Sequence, residues 1–120
     1  MERMCLTIPV KSGHREELIA FMREVDGPRH AELAETEKRV GLQREVFFLA
    51  EGAEHDQLLM YVEGEAIAGS IAAFVASREP FDVWFKDRFA ACRGVEMNEP
   101  APLEPDELLV AYSSDEVRVQ

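Results

Sequence analysis

Apolar residues first recur at every second position. Met4, Leu6, Ile8 and Val10 alternate with Cys5, Thr7 and Pro9, the spacing of a strand with one core-facing side. Pro9 has no N–H for a ladder, so the strand should end near it. Lys11-Ser12-Gly13 reads as a turn, with Ser12 a candidate N-cap for a helix beginning near His14. From there the period changes to that of a helix. Leu18, Phe21, Met22 and Val25 form one stripe, while Arg15, Glu16, Glu17, Arg23 and Glu24 supply the wet side. Asp26-Gly27-Pro28 breaks this helix, and Pro28 suits the first turn of a second one, Arg29 to Val40, with Gly41 as a left-handed cap. The second helix is weakly amphipathic: His30, Leu33, Glu37 and Val40 share its stripe. Such a helix is expected to be a flexible or exposed flap.

Two further strands, Gln43 to Glu51 and Gln57 to Glu63, are joined through Gly52-Ala53-Glu54-His55-Asp56, a loop of hairpin length. Neither alternates apolar with polar. Val46 and Phe48 oppose Phe47 and Leu49, and Leu58, Met60 and Val62 oppose Leu59 and Tyr61. A sheet with one wet face would alternate, so both faces are expected to be covered. Glu65 to Ala76 is helical, buried through Ile67, Ile71, Phe74 and Val75. Phe81 to Arg93 carries the strongest helical stripe, Phe81, Trp84, Phe85, Phe89 and Cys92, and Gly94 ends it. The prolines of Glu99 to Pro105 exclude helix and sheet interior, so that segment should be extended. A short last strand is expected from Glu107 to Ser113, with Leu108, Val110 and Tyr112 on one face. The order is the split β-α-β-β-α-β of a ferredoxin-like α+β fold, an antiparallel sheet with helices on one face. Residues 1–95 form the domain, and residues 96–120 are a proline-rich arm and C-terminal strand belonging to it.

A chain of 120 residues makes one domain, and folding at this size hides roughly two thirds of the extended chain's surface. Few helices are available to cover a doubly apolar sheet, which points to a homodimer formed through the sheet face. The net charge of −11 repels phosphate backbones and anionic lipid, so nucleic acid and membrane surfaces are poor partners. No apolar run reaches the roughly 20 residues of a bilayer span. The N-terminus has no signal-peptide cleavage pattern, giving a cytoplasmic expectation. Cys5 and Cys92 have neither CxxC spacing nor a cysteine-rich context and read as small apolar residues.

The segments Leu6 to Gly13, Glu45 to Leu49, Leu59 to Glu65 and Pro80 to Phe85 together resemble the dimeric α/β barrel superfamily, and within it a group of short bacterial proteins of unknown function. The resemblance spans roughly Met4 to Val95. It implies two ferredoxin-like sheets facing each other across a dimer axis, with ligands between sheet and helices. Relatives in the superfamily include cofactor-independent monooxygenases, haem-degrading enzymes, haem peroxidases and small isomerases, and the fold does not choose among them. The histidine that often follows the third strand in the monooxygenases is absent; Ala66-Ile67-Ala68-Gly69-Ser70 stands there.

Candidate chemistry is correspondingly sparse. Glu45, Tyr61 and His30 are the candidate catalytic residues. Glu45 shares a face with Phe47, and pairing of the central strands is expected to bring Tyr61 to the same face, where a carboxylate could move a proton beside a phenol. His30 could act as a base; His30 and Glu37, two turns apart, are too distant for one metal. His14, His30 and His55 lack metal-ligand spacing, so no metal is expected. Trp84, Phe85 and Phe48 are candidate ligand-binding residues for a small apolar or aromatic molecule. The functional expectations are a homodimer with a small-molecule cleft and no cofactor; a cofactor-independent monooxygenase or isomerase acting on an aromatic or polyketide-like substrate; or a haem protein with His30 or His55 as axial ligand.

Overall fold

The computed structural model describes residues 1–94 and 103–114. Strand β1 (Glu2–Pro9) is followed by helices α1 (Arg15–Asp26) and α2 (His30–Val40), strands β2 (Leu42–Ala50) and β3 (Gln57–Gly64), and helices α3 (Ile67–Ala76) and α4 (Pro80–Arg93). The sheet is antiparallel with β3 in the centre, in the order β1-β3-β2. The helices lie on one face, as a ferredoxin-like fold of the dimeric α/β barrel type requires. Ser12 does not cap α1. The turn carries the chain on to His14, whose side chain accepts no capping bond and instead meets Glu17 at 2.7 Å.

The core lies between sheet and helices. Leu6, Ile8 and Leu58 project from the strands toward Leu18 and Phe21 of α1 and the aromatic stripe of α4, while Val62 packs in a smaller cluster with Leu42 and Ile67. Within that stripe Phe85 and Phe89 stack, with ring centroids 5.7 Å apart, and Phe21 meets Phe85 edge-on at 5.0 Å. Such contacts add about 0.5–1.5 kcal/mol each beyond area burial.

Helix α2 is exposed along most of its length, as expected, but is tied down on one side. Its Thr36 is buried and donates to Asp82 Oδ1 of α4 at 2.5 Å, and Arg39 Nη2 reaches Asp82 Oδ2 at 2.8 Å. Ser77 completes the shell at 2.5 Å. Burial pushes the Asp82 carboxyl up, but these three donors outweigh it and hold it below its ordinary range. Lys86, also buried, donates to the carbonyls of Val75 and Ser77. Polar anchoring is invisible to a hydrophobic stripe count, which is why α2 reads as loose in sequence. Gly41 ends α2 at φ +90°, with its N–H on Glu37 O, a conformation that strongly favours glycine.

The expected last strand does not form among the described residues. After α4 the chain returns to the outer edge of β1, where Asp106 N–H donates to Cys5 O at 2.8 Å and Thr7 Oγ1 donates to Asp106 Oδ2 at 2.6 Å. Pro105 next to it has no N–H to offer, and residues 107–113 carry no strand. Leu108, Leu109, Val110 and Tyr112 stand exposed there. Most of the expected proline-rich segment, residues 99–102, lies outside the described residues.

Candidate functional site

A cavity of about 330 Å³ opens between the sheet and helices α2, α3 and α4, the lower end of the usual size for a small-molecule site. Leu6, Phe47 and Met60 form its floor, and Phe74, Phe85 and Phe89 its roof. Phe47 and Phe89 approach to 6.3 Å and Phe74 and Phe85 to 5.4 Å between centroids. The charged residues on this apolar lining are Glu37, Glu45, Arg93 and, on the exposed rim, Glu104.

Glu45 reaches the cavity because of a bulge. Leu42 pairs with Gly64 and Arg44 with Glu63, so Gln43 is the extra residue and the alternation resets. Leu42 and Glu45 consequently both face the helices. Glu37 comes down from α2, and the two carboxyl groups meet within hydrogen-bonding reach. Two carboxylates cannot form such a bond; it requires a proton on one of them. Burial, with the neighbouring Glu45 and Asp82 charges, pushes Glu37 up to about 9. Glu45 is also raised by burial, an effect partly opposed by its bond to Glu37. The pair therefore retains a proton at neutral pH. Glu37 Oε2 is buried without a hydrogen-bond partner.

The pair also borders a second, smaller cavity of about 150 Å³, edged by His30, Gln43 and Arg44. Glu37 and Glu45, with Leu33, thus line both the inner and the outer chamber.

The structure disperses the sequence candidates. Glu45 faces the main cavity, Phe85 lines it, and His30 lies in the outer chamber. Tyr61 does not share a face with Glu45. The register sets Glu45 opposite Val62, Phe47 opposite Met60 and Val46 opposite Tyr61, one residue away from the pairing that would join Glu45 to Tyr61, and a one-residue slip exchanges faces. On the outer face Tyr61 donates to Glu63 Oε2 at 2.5 Å. Phe48, 61% exposed, also points outward. Trp84 lies between Phe21 and Phe81 with the Arg29 guanidinium 4.0 Å above its ring, outside the cavity lining. Neither His30 nor His55 lines the main cavity, so the chamber offers no histidine as an axial ligand for haem. No group of three or more metal-ligating side chains occurs among the described residues.

Sequence reasoning weighed Glu37 only as a metal partner for His30 and passed over Arg93. Glu37 carried a signal, because it shares the α2 stripe with Leu33 and Val40, where a carboxylate among core positions marks either a pair or a site. Arg93 carried none beyond its place at the end of the aromatic stripe.

No protein-family model matches the chain, and comparison with curated proteins finds no match. Among solved structures the fold is similar to tetracenomycin F2 cyclase from Streptomyces glaucescens, a type-II polyketide cyclase. The TM-score is 0.56 at 14% identity, over 95% of this chain and 99% of that one. At this identity the likeness establishes the fold.

Proposed function

We propose that the chain binds a polycyclic, polyketide-like aromatic molecule in the chamber under its sheet and catalyses a cofactor-independent isomerisation or cyclisation by proton transfer. The carboxyl pair carries this reading: one protonated and one ionised carboxyl, held against an apolar wall, is the equipment for enolisation. Glu45 as carboxylate takes a proton from a carbon beside a carbonyl, and Glu37 gives its proton to that carbonyl's oxygen, leaving a neutral enol. Returning the proton at another carbon isomerises the substrate. Attack of the enol carbon on a second carbonyl of the same molecule, followed by loss of water, closes a ring. Neither route needs an oxidant or a reductant. A fold shared with a polyketide cyclase raises the prior for this class by analogy. The outer chamber gives the pair a route to exchange protons with solvent past His30.

The same reading includes a homodimer. The outer sheet face presents Val46, Phe48, Leu59 and Tyr61 with no helix over them, and a second copy placed sheet to sheet would cover it. A monomer in light scattering at micromolar concentration would contradict this part.

The test of the ligand class is a thermal-shift screen against bicyclic and tricyclic aromatic ketones and phenols. A molecule that binds only the folded state at a hundred times its Kd adds about 2.7 kcal/mol of stability, so ligands that fit should raise the melting temperature by several degrees. No shift with any member of the panel would refute the proposal.

A further inference from the structure

Arg93 is the unexplained charge of the chamber. Its Nε is buried with no hydrogen-bond partner, it forms no ion pair among the described residues, and its guanidinium carbon stands 5.7 Å from the Phe89 ring centroid. A guanidinium presents five donors in a fixed fork and has no acceptor, so each donor withdrawn from water must find an anion or stay costly. Burial lowers its affinity for the proton, and no carboxylate offsets that effect. Glu104 is the other charged residue on this part of the lining, and it lies exposed at the rim without bonding to Arg93.

Its position relative to the carboxyl pair follows from the fold. Lys11 N–H donates to Cys92 O at 2.8 Å, which ties the end of α4 to the chain just past β1. The Ile8–Leu58–Leu49 row lies at that end of the sheet. Glu45 lies in the Met4–Val62 row toward the other end. Between Glu45 and Leu49 the strand advances about 13 Å, four residues at roughly 3.3 Å each. The chamber is therefore a slot with a proton-holding carboxyl pair toward one end, a lone cation toward the other and stacked phenylalanines between.

Resting on the small-molecule reading above, we infer that Arg93 binds an acidic oxygen, a phenolate or enolate, on the far ring of a fused-ring aromatic substrate, and so sets which carbon faces Glu37 and Glu45. An aliphatic chain or an unsubstituted hydrocarbon would leave the guanidinium buried and unpaired. A fused-ring system with an acidic oxygen on one ring and a carbonyl on another satisfies both ends. Arg93 is thus a specificity-determining residue at a distance from the reacting carbon.

The experiment compares 2-naphthol with 2-methoxynaphthalene, which has the same ring system and no ionisable oxygen, by binding titration to the full chain. The absorbance of bound naphtholate against pH provides a second readout. Wild type should bind 2-naphthol at least about ten-fold more tightly and lower its pKa on binding by about one unit, the equivalent free energy. Arg93→Met keeps the stem against Phe89 and removes the cation. It should bind the two probes equally and leave the naphthol pKa at or above its solution value, whereas Arg93→Lys should keep a reduced preference. Circular dichroism melts confirm that each variant is folded, and if Arg93→Met is unfolded, Arg93→Gln takes its place. Equal affinities in wild type, or an undiminished preference in folded Arg93→Met, would overturn the role of Arg93 while leaving the chamber as a ligand site. Failure of both probes and of the ketone panel to bind would refute the ligand reading itself.

Discussion

Replacing Glu37 with glutamine should remove one proton from the link between folding and pH. In the unfolded chain Glu37 titrates near 4.5, and in the folded chain burial and the Glu45 and Asp82 charges raise it to about 9. The folded state therefore binds one more proton than the unfolded state between those values. Stability from this group is fully present below the unfolded pKa and is lost as pH rises through the folded one. Within the window the loss is about 1.4 kcal/mol per pH unit for one proton. For a domain of this size that corresponds to roughly 5–6 °C of melting temperature per unit. Glutamine keeps the shape and a donor for Glu45 but cannot ionise. Between about pH 6 and pH 8 the variant's stability should fall less steeply than the wild type's by that one-proton slope. Urea denaturation at fixed intervals of pH reads both slopes, with the histidines common to both proteins. Parallel curves would show that Glu37 is ionised in the folded protein, and the shared-proton pair would have to be abandoned.

Other substitutions address the remaining parts of the account. Phe48→Asp places a charge on the exposed apolar sheet face and should turn the proposed dimer into a monomer by light scattering while leaving the far-UV spectrum intact. Asp82→Ala leaves Thr36, Ser77 and Arg39 without their common acceptor and should cost about 1–3 kcal/mol in urea denaturation, chiefly for the buried Thr36 hydroxyl, since Arg39 is part-exposed. Phe85→Ala removes a ring from the cavity roof; it should destabilise by about 3–5 kcal/mol and shift the preferred ligand in the thermal-shift panel from bicyclic to tricyclic.

Much of the fold was legible because its elements announce themselves by period. The Leu18–Val25 stripe, the Phe81–Cys92 stripe and the glycines after α2 and α4 place the helices within a residue or two. The doubly apolar central strands are present as read, with one face on the helices and the other open on this chain. Pairing between strands was not legible. The register of β2 on β3 follows from the six-residue loop 51–56, whose shape is fixed by Arg15 gripping Asp56 at 2.7 and 2.8 Å and by Gly52 N–H on the same carboxylate, while the bulge at Gln43 lies at the opposite end of the hairpin. The Arg15–Asp56 contact joins residues 41 positions apart, and no local pattern encodes it. Tyr61 and Phe48 were therefore assigned to the wrong side, while Glu45, which moves with Phe47, was placed correctly. Glu37 and Arg93 gain their meaning from burial and missing partners, which only the assembled chamber reveals. The C-terminal segment alternates like a strand at Leu108, Val110 and Tyr112, yet it carries no strand on this chain.

A chamber that moves protons on a bound ring system will reveal itself in proton NMR of 2-tetralone in deuterated buffer. This bicyclic ketone has an activated methylene beside its carbonyl. Wild-type protein should accelerate exchange of that methylene well above the buffer rate; Glu45→Gln, which cannot accept the proton, should reduce the gain by about 10²–10⁴-fold, the usual contribution of a positioned base. Exchange at the buffer rate with wild type, or equal acceleration by folded Glu45→Gln, would contradict the account.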